Sequence, residues 1–573
     1  MAYPARRVTP LDTRVDIETP EHVRFRWEVA GIGPRAVAWA VDFAIRAVVV
    51  IGLSIPLGAS SAVEGLEGLG SGAFMLALFL LDWAWFTVFE SLPGGASPGK
   101  RVVGLRVVRE DGAPASLREI ALRNLLRAAD AAPAMYVVGL VAMAIDPRFR
   151  RLGDRVAGTI VVVNQRVTAR MEVLPLTPAR HDESRLLPAR LRLSARLRRA
   201  IESWLAARPR MGATWADAVA RRSVLGLLDR LGLGRVDPSR ALELIAQRVR
   251  EEELAGAALV ARRREAWDAL RRDLDAVVPL SGDPARAASI VRRYRDACAD
   301  LGRFRDAPVP TAAVDEVQAL CARAHAELYA HPADLELRDV GALGRLVFTQ
   351  FPADVRREWK LVALSAFLFL APLVLGFALA YAEPSFAFRV IPAEVRAQME
   401  ESYAEVVDRS QSDNAQMAGF YVYNNTGIAL RSVAAGIFLG LGTAWVLVYN
   451  GLFIGSVGGH LSAMGYGWNL LRFTSGHTAW EIGALIIAGG AGLRLGLAVL
   501  DRGGRTLVGS LRAAGPVVAR IAAGSALMLA VAAGIEGFWS GWAWPDPVRA
   551  AFALGQCALL AAWLAGAFSM ARR

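Results

Sequence analysis

The chain has 573 residues, of which 54% are apolar, with a mean hydropathy of +0.33 and a formal charge of +12. That apolar share exceeds the usual soluble composition, and several runs approach the ~20 residues needed to cross a bilayer, so the chain is expected to be an integral membrane protein. In such a protein a basic excess is retained on the cytoplasmic side, which argues against nucleic acid as a partner; Cys298, Cys321 and Cys557 form no closely spaced pair, so no disulfide framework or zinc knuckle is indicated.

The first thirty residues are polar and basic and lack an apolar core followed by a small-residue cleavage site, so no removable signal is expected and the N-terminus should remain cytoplasmic. Ala36 to Leu57 is a predicted first span interrupted by Asp42 and Arg46, and Ala73 to Phe89 a second containing Asp82. Their connecting loop carries Glu64 and Glu67 but no base, whereas both outer flanks are basic. The positive-inside rule therefore places both ends of this hairpin inside. Asp42 and Arg46, four residues apart, share a helix face with Arg35 and are expected to neutralise one another, since an isolated charge in the membrane costs ~2.5 to 3.5 kcal/mol.

Arg101 to Arg109 alternates as a strand, Asp111 and Gly112 form a turn, and Ser116 with Glu119 is a capping box opening an amphipathic helix. Ala131 to Ile145 is apolar but short, and the cluster Arg148, Arg150, Arg151 and Arg155 follows it. A re-entrant or interfacial segment is expected, because Val161 to Val163 reads as a strand pairing with Val102 to Val108, which requires both on one side. The motifs Ser97-Pro98-Gly99-Lys100-Arg101, Gly104 to Val108, Arg123-Asn124 and Leu152 to Thr159, together with Arg35, Asp42 and Asp154, resemble the RDD family over about residues 25–165. The resemblance implies a membrane module, with ion transport suggested for some members.

A proline-punctuated linker is expected over 167–190. Beyond it, three amphipathic helices are predicted from the spacing of Trp267, Leu270, Leu274 and Val277, of Val291, Tyr294, Cys298 and Leu301, and of Val314, Val317, Cys321, Ala324 and Leu328. An antiparallel bundle follows. The arginine runs Arg262 to Arg264 and Arg292–Arg293 read as solvated faces that could also touch anionic lipid headgroups, and His325 and His331 as ordinary surface histidines.

Leu361 to Tyr381 is a span entered from Arg356, Arg357 and Lys360, and the loop after it holds seven acids against three arginines, so it should face outside. Ile428 to Tyr449 is expected to return inward, Asn450-Gly451 to turn, and Leu452 to Met464 is left open as a span. His477 to Val499, Pro516 to Phe538 and Val548 to Met570 complete the block. Gly436/Gly440, Gly455/Gly459 and Gly492/Gly496 are small-residue pairs that favour close helix packing.

The run Gly419 to Ala429, Tyr449 to Gly455, Gly476-His477, Glu481 and Ile535-Glu536 resembles the stage II sporulation protein M (SpoIIM) family, the likeness reaching from about Glu251 to the C-terminus. That resemblance implies a membrane scaffold recruiting peptidoglycan-remodelling enzymes in endospore formers. Members of both families are often neighbours of MoxR-type ATPases, which implies cell-envelope assembly partners.

The expected fold is therefore an all-α polytopic membrane protein: an RDD-like transmembrane hairpin with a small β element (1–166), a linker with cytoplasmic helices (167–250), a cytoplasmic helical bundle (251–350) and a SpoIIM-like transmembrane bundle (351–573). The signature residues are Arg35, Asp42 and Asp154, and the candidate intramembrane polar or ion site comprises Asp82, His460, His477, Glu481 and Glu536. Three readings of His477, Glu481 and Glu536 stand side by side: a buried hydrogen-bond network, a proton or cation relay, and a mixed histidine–carboxylate metal site, although no spacing specifies a metal and none is assigned. Without a nucleotide loop, nucleophile elbow or HExxH motif, neither an enzyme nor a cofactor is expected. The favoured function is a scaffold at the bacterial plasma membrane that contacts lipids and protein partners. The alternative is a proton- or cation-coupled transporter using the intramembrane Asp, His and Glu residues.

Overall fold

The computed structural model describes residues 14–18, 24–59, 67–133, 136–163, 177–180, 183, 186–188, 191, 193, 195–231, 233, 236–275, 283–304, 307, 309–329, 340–405 and 411–569. Most of the expected linker at 167–190, the acidic loop with Glu64, and His331 lie outside the described residues.

Two antiparallel strands, β1 (Arg14–Glu18) and β2 (Arg24–Glu28), precede the first span, α1 (Ile32–Ala59). The expected second span is a helix pair, α2 (Glu67–Phe79) and α3 (Trp85–Ser91), bent by 55° about a π-helical turn at Leu80–Ala84; together the two are apolar and long enough to cross. The strand expected over Arg101 to Arg109 begins only at Leu105. Ser97 caps α4 (Pro98–Val103), proline sits in its first turn where no amide donor is needed, and Gly104 closes it at φ +75°. β3 (Leu105–Arg109) then pairs with β4 (Thr159–Val163), as the valine runs predict.

Between these strands lie α5 (Leu117–Leu125), opened by the Ser116/Glu119 capping box, α6 (Arg127–Asp130), α7 (Val137–Ile145) and α8 (Leu152–Ala157). At nine residues α7 is roughly 14 Å long, about half the hydrocarbon thickness, so the apolar segment before the arginine cluster does not cross.

The middle of the chain is helical: α9 (Ala195–Ala207), α10 (Ala213–Arg230), α11 (Pro238–Asp275), α12 (Pro284–Phe304) and α13 (Thr311–Leu328). The boundary expected at 250 falls inside the 38-residue α11. Its first half packs with α9 and α10 around Trp204, Leu242 and Ile245, and its second half with α12 and α13 around Trp267, Leu301 and Val317. His325 is not a surface histidine: it is buried, with Nδ1 3.2 Å from the Tyr294 hydroxyl. It occupies the inner stripe of α13 with Val317, Cys321 and Ala324.

The C-terminal block runs α14 (Val340–Arg345), a π turn, α15 (Phe351–Arg357), α16 (Trp359–Ala382), α17 (Pro384–Val390), α18 (Ala393–Ala404), α19 (Gln411–Tyr421), a second π turn at Val422–Thr426, α20 (Gly427–Ala435), α21 (Leu441–Ala463), α22 (Gly467–Thr474), α23 (Thr478–Leu500), α24 (Leu507–Phe538) and α25 (Asp546–Ala565). Six described helices are long and apolar enough to cross a membrane: α1, α16, α21, α23, α24 and α25.

Two expectations are corrected here. Ile428 to Tyr449 is not one span, because the chain turns at 436–440, with Leu439 and Gly440 at φ +57° and +80°. Nor do Asn450 and Gly451 turn: both lie inside α21, where Asn450 Nδ2 donates to Val446 O (2.7 Å) and Gly451 lets the Phe369 carbonyl approach. Leu452 to Met464 is therefore the second half of the α21 span.

The glycines of α21 also fix its direction. Gly451, Gly455 and Gly459 lie against the carbonyls of Phe369, Leu373 and Phe377 in turn, so α16 and α21 pack parallel. Parallel neighbours require a return between them, and α19–α20 supplies it. Gly68 N donates to Ser412 Oγ (2.5 Å) where α2 and α19 begin together, while Gly436 meets Gly492 near the far ends of α20 and α23. This return contains Ser412, Asp413, Asn414, Asn424, Asn425 and Arg431 and packs against α2, α23 and α24, which buries Ser412 and Asn414 and partly covers Asn424 and Asn425, while Asp413 and Arg431, near its two ends, stay exposed.

Candidate functional site

Two clusters of polar side chains sit in the membrane body, one at each end. The first explains the RDD signature. Arg35, at the start of α1, donates to Asp154 Oδ2 (2.6 Å) on α8 and to Phe149 O (2.7 Å). Arg123 on α5 donates to the other Asp154 oxygen (2.7 Å) and pairs with Glu90 on α3, which also pairs with Lys100 on α4. Arg123, Glu90 and Asp154 are each at most 1% exposed. Burial alone would raise the Asp154 pKa, but Arg35, Arg123 and Arg151 outweigh it and hold that carboxyl well below the usual range.

Asp42 does something else. It does not pair with Arg46: its oxygens accept from Ser97 Oγ (2.5 Å), Gly99 N (2.9 Å) and Trp85 Nε1 (3.3 Å). The carboxylate thus sits at the N-terminus of α4, where backbone donors and the helix dipole replace the expected counter-ion. A side chain on Gly99 would overlap the Ala38 carbonyl, which accounts for the glycine in Ser-Pro-Gly. Arg46 instead reaches Leu81 O (3.2 Å) in the π turn of the second span, 4.0 Å from Asp82, which is half exposed.

Asp130 is buried beside this cluster and accepts from Leu152 N (3.0 Å). Burial pushes its carboxyl up to about 6, against the pull of Arg151.

The second cluster lies at the opposite end. His477 Nε2 is 3.7 Å from Glu481 Oε2, one turn along α23, and 3.8 Å from Glu536 Oε1 on α24. His477 Nδ1 is 2.9 Å from Ser540 Oγ, and Asn425 Nδ2 donates to Glu481 Oε1 (2.7 Å). His460 is not part of it: Nε2 pairs with Glu400 (2.8 Å) on α18. Of the five candidate site residues, then, the structure gathers His477, Glu481 and Glu536 and leaves Asp82 and His460 apart. Asn425 and Ser540 escaped the sequence reading as site residues, although Asn425 stands in the Asn-Asn motif and Ser540 four residues after Glu536.

The two halves of the membrane body are joined. Arg512 on α24 donates to Glu110 Oε1 (2.5 Å) and Arg155 O (3.2 Å), and Leu122, Leu126 and Val156 share one apolar core with α15, α20, α23 and α24.

The spans, their glycine contacts and the buried charge clusters define a polytopic α-helical membrane protein with a helical domain between two membrane modules. Family models identify those modules: RDD family over residues 29–158 and Stage II sporulation protein M over 365–541, joined in one chain. A domain of unknown function (DUF8413) matches residues 257–330, which comprise most of the α11–α13 bundle. Neither the curated proteins nor the solved structures searched give a match.

Proposed function

We propose that the chain is a membrane assembly platform of the bacterial plasma membrane, presenting its central helices to a protein partner in the cytoplasm. The observation that carries this reading is the seating of the bundle on the membrane module. Trp27, Val108, Ile160 and Val162 of the β layer belong to the same apolar cluster as Trp267, Tyr294 and Val317. Orientation follows from charge. Arg356, Arg357, Lys360, Arg502, Arg505, Arg512 and Arg520 crowd the end carrying the bundle, while Glu383, Glu394, Glu400, Glu401 and Glu405 crowd the other. The positive-inside rule assigns the former to the cytoplasm.

A groove of about 860 Å³ runs between α11 and α13, with Val260, Ala261, Ala313 and Leu320 as floor. Its rim holds Arg264, Arg271 and Arg323 against one acid, Glu316. That chemistry suits an amphipathic helix with acidic flanks, as an envelope-assembly ATPase or its adaptor could offer. A photocrosslinker at Ala312 or Ala319 in cells should trap a partner, and Leu320→Arg should abolish the adduct. Equal trapping from Ser402, at the far end, would defeat this assignment.

One observation favours a second reading, a proton- or cation-coupled transporter: carboxylates converge on an imidazole inside the membrane body. Reconstituted vesicles with a pH dye would then report a flux abolished by Glu481→Gln.

A further inference from the structure

The separations within the His477 cluster are too long for hydrogen bonds and close to those within a metal shell. Ligand atoms of His477, Glu481 and Glu536 all lie within 4.8 Å of one another. The Nε2–oxygen distances of 3.7 and 3.8 Å exceed the ~2.7–3.2 Å of N–H···O bonds. Two donors bound to one tetrahedral ion at about 2.0–2.2 Å stand roughly 3.3–3.6 Å apart, so the two imidazole–carboxylate separations need to close by only a few tenths of an ångström, while the group as a whole, spread within 4.8 Å, draws together by up to about 1.5 Å when an ion binds.

On His477 and Glu481 the atom facing away from the shared space is tied. Placing the imidazole proton on Nδ1 lets it donate to Ser540 and directs the Nε2 lone pair towards both carboxylates; the other tautomer would bury an N–H that reaches neither. Asn425 holds Glu481 Oε1 and leaves Oε2 for the same space. Partners of this kind orient metal-binding imidazoles and carboxylates.

The surroundings are polar as well. Thr426 Oγ1, adjacent to Asn425, and both amide atoms of Asn414, which packs against Gly537 and Gly541 on either side of Ser540, are buried with no hydrogen-bond partner among the described residues. Such groups call for water or an ion.

We propose that His477 Nε2, Glu481 and Glu536 bind one divalent transition-metal cation, with Zn²⁺ the best match. One imidazole and two carboxylates suit Zn²⁺ better than Ca²⁺ or Mg²⁺, which favour oxygen alone, or Cu(I), which favours sulfur. A dication also balances two carboxylates beside a neutral ring. Glu481 keeps 28% of its side chain exposed, which leaves an open coordination position for water on its side. The site ties α23 to α24 and, through Asn425, to the polar return helix.

The test uses the tag-free full chain in detergent, stripped with EDTA, reloaded with Zn²⁺ and dialysed. Elemental analysis should find one Zn²⁺ per chain in the wild type and none above background in His477→Gln or Glu536→Gln. Ser540→Ala should weaken Zn²⁺ affinity about 10–100-fold while keeping the stoichiometry at saturation. X-ray absorption on the wild type should show imidazole and oxygen donors near ~2.0–2.1 Å and no sulfur. If the ligand variants do not fold, the Ser540→Ala affinity and the wild-type spectrum decide. A wild type that retains no Zn²⁺, equal retention by a folded His477→Gln, an unchanged affinity in Ser540→Ala, or a sulfur-bound spectrum overturns the site.

Discussion

Gly376→Ala should separate α16 from α21. A Cβ at this position would stand 2.5 Å from Leu452 O and 3.0 Å from Ser456 Oγ. An ordinary carbon–oxygen contact needs ~3.3–3.6 Å, so the helices must part by roughly 1 Å. A gap of 0.5–1 Å forfeits a quarter to a half of each dispersion contact along the seam, and in lipid no hydrophobic force offsets that loss. The expected destabilisation is about 2–3 kcal/mol, towards the upper end for overpacking. Gly555→Ala on α25 is the matched control. Nothing lies within 4 Å of its would-be Cβ, so helix propensity alone should make it neutral or stabilising by about 0.5–1 kcal/mol. Equilibrium unfolding in mixed micelles, followed by tryptophan fluorescence, compares the two. If Gly376→Ala is as stable as Gly555→Ala, the parallel seam is wrongly drawn.

Asp154→Asn should cost about 3–5 kcal/mol in the same assay, because Arg35 and Arg123 would be left buried against a neutral amide; a loss below about 1 kcal/mol would contradict the knot. Asp130 gives a pH signature. With its folded pKa at about 6 and an unfolded value near ~3.9, the native state binds the extra proton between these values, so stability falls as pH rises through that window. Asp130→Asn should remove that slope and gain up to about 3 kcal/mol at pH 7.5; an unaltered pH profile would refute it. In a Cys557→Ser background, Ser402→Cys should react with an impermeant maleimide in intact cells, whereas Leu439→Cys and Arg502→Cys should react only after permeabilisation. Labelling of Ser402→Cys and Leu439→Cys from the same side would remove the α19–α20 crossing.

Where local chemistry decides structure, the sequence was legible. The apolar runs of α1, α16 and α23 and the Ser116/Glu119 box follow from residues within a few turns of one another, and although β3 and β4 lie 50 residues apart, each announces itself by its own valine run. It was illegible where distant elements decide. Asn450-Gly451 has the composition of a turn, yet Gly451 is small because α16 passes over it. Asp42 and Arg46 share a helix face, yet the α4 N-terminus competes successfully for Asp42. The pairing of Arg35 with Asp154 spans 119 residues and no periodicity reports it. At the other end, His477 and Glu481 are a visible helical pair, but the arrival of Asn425 and Ser540 depends on how three helices pack.

The parallel seam between α16 and α21 has a consequence for biosynthesis. The helix that returns between them is too polar to enter lipid on its own merits, so the insertion machinery cannot decide its fate from that segment alone. Its companion α2 emerges from the ribosome 344 residues before the Ser412 it contacts, about 17–70 s earlier at ~5–20 residues per second. The N-terminal hairpin is thus in place to receive the late polar segment. Joining the two modules in one polypeptide supplies that receiving surface in fixed proportion and at high local concentration.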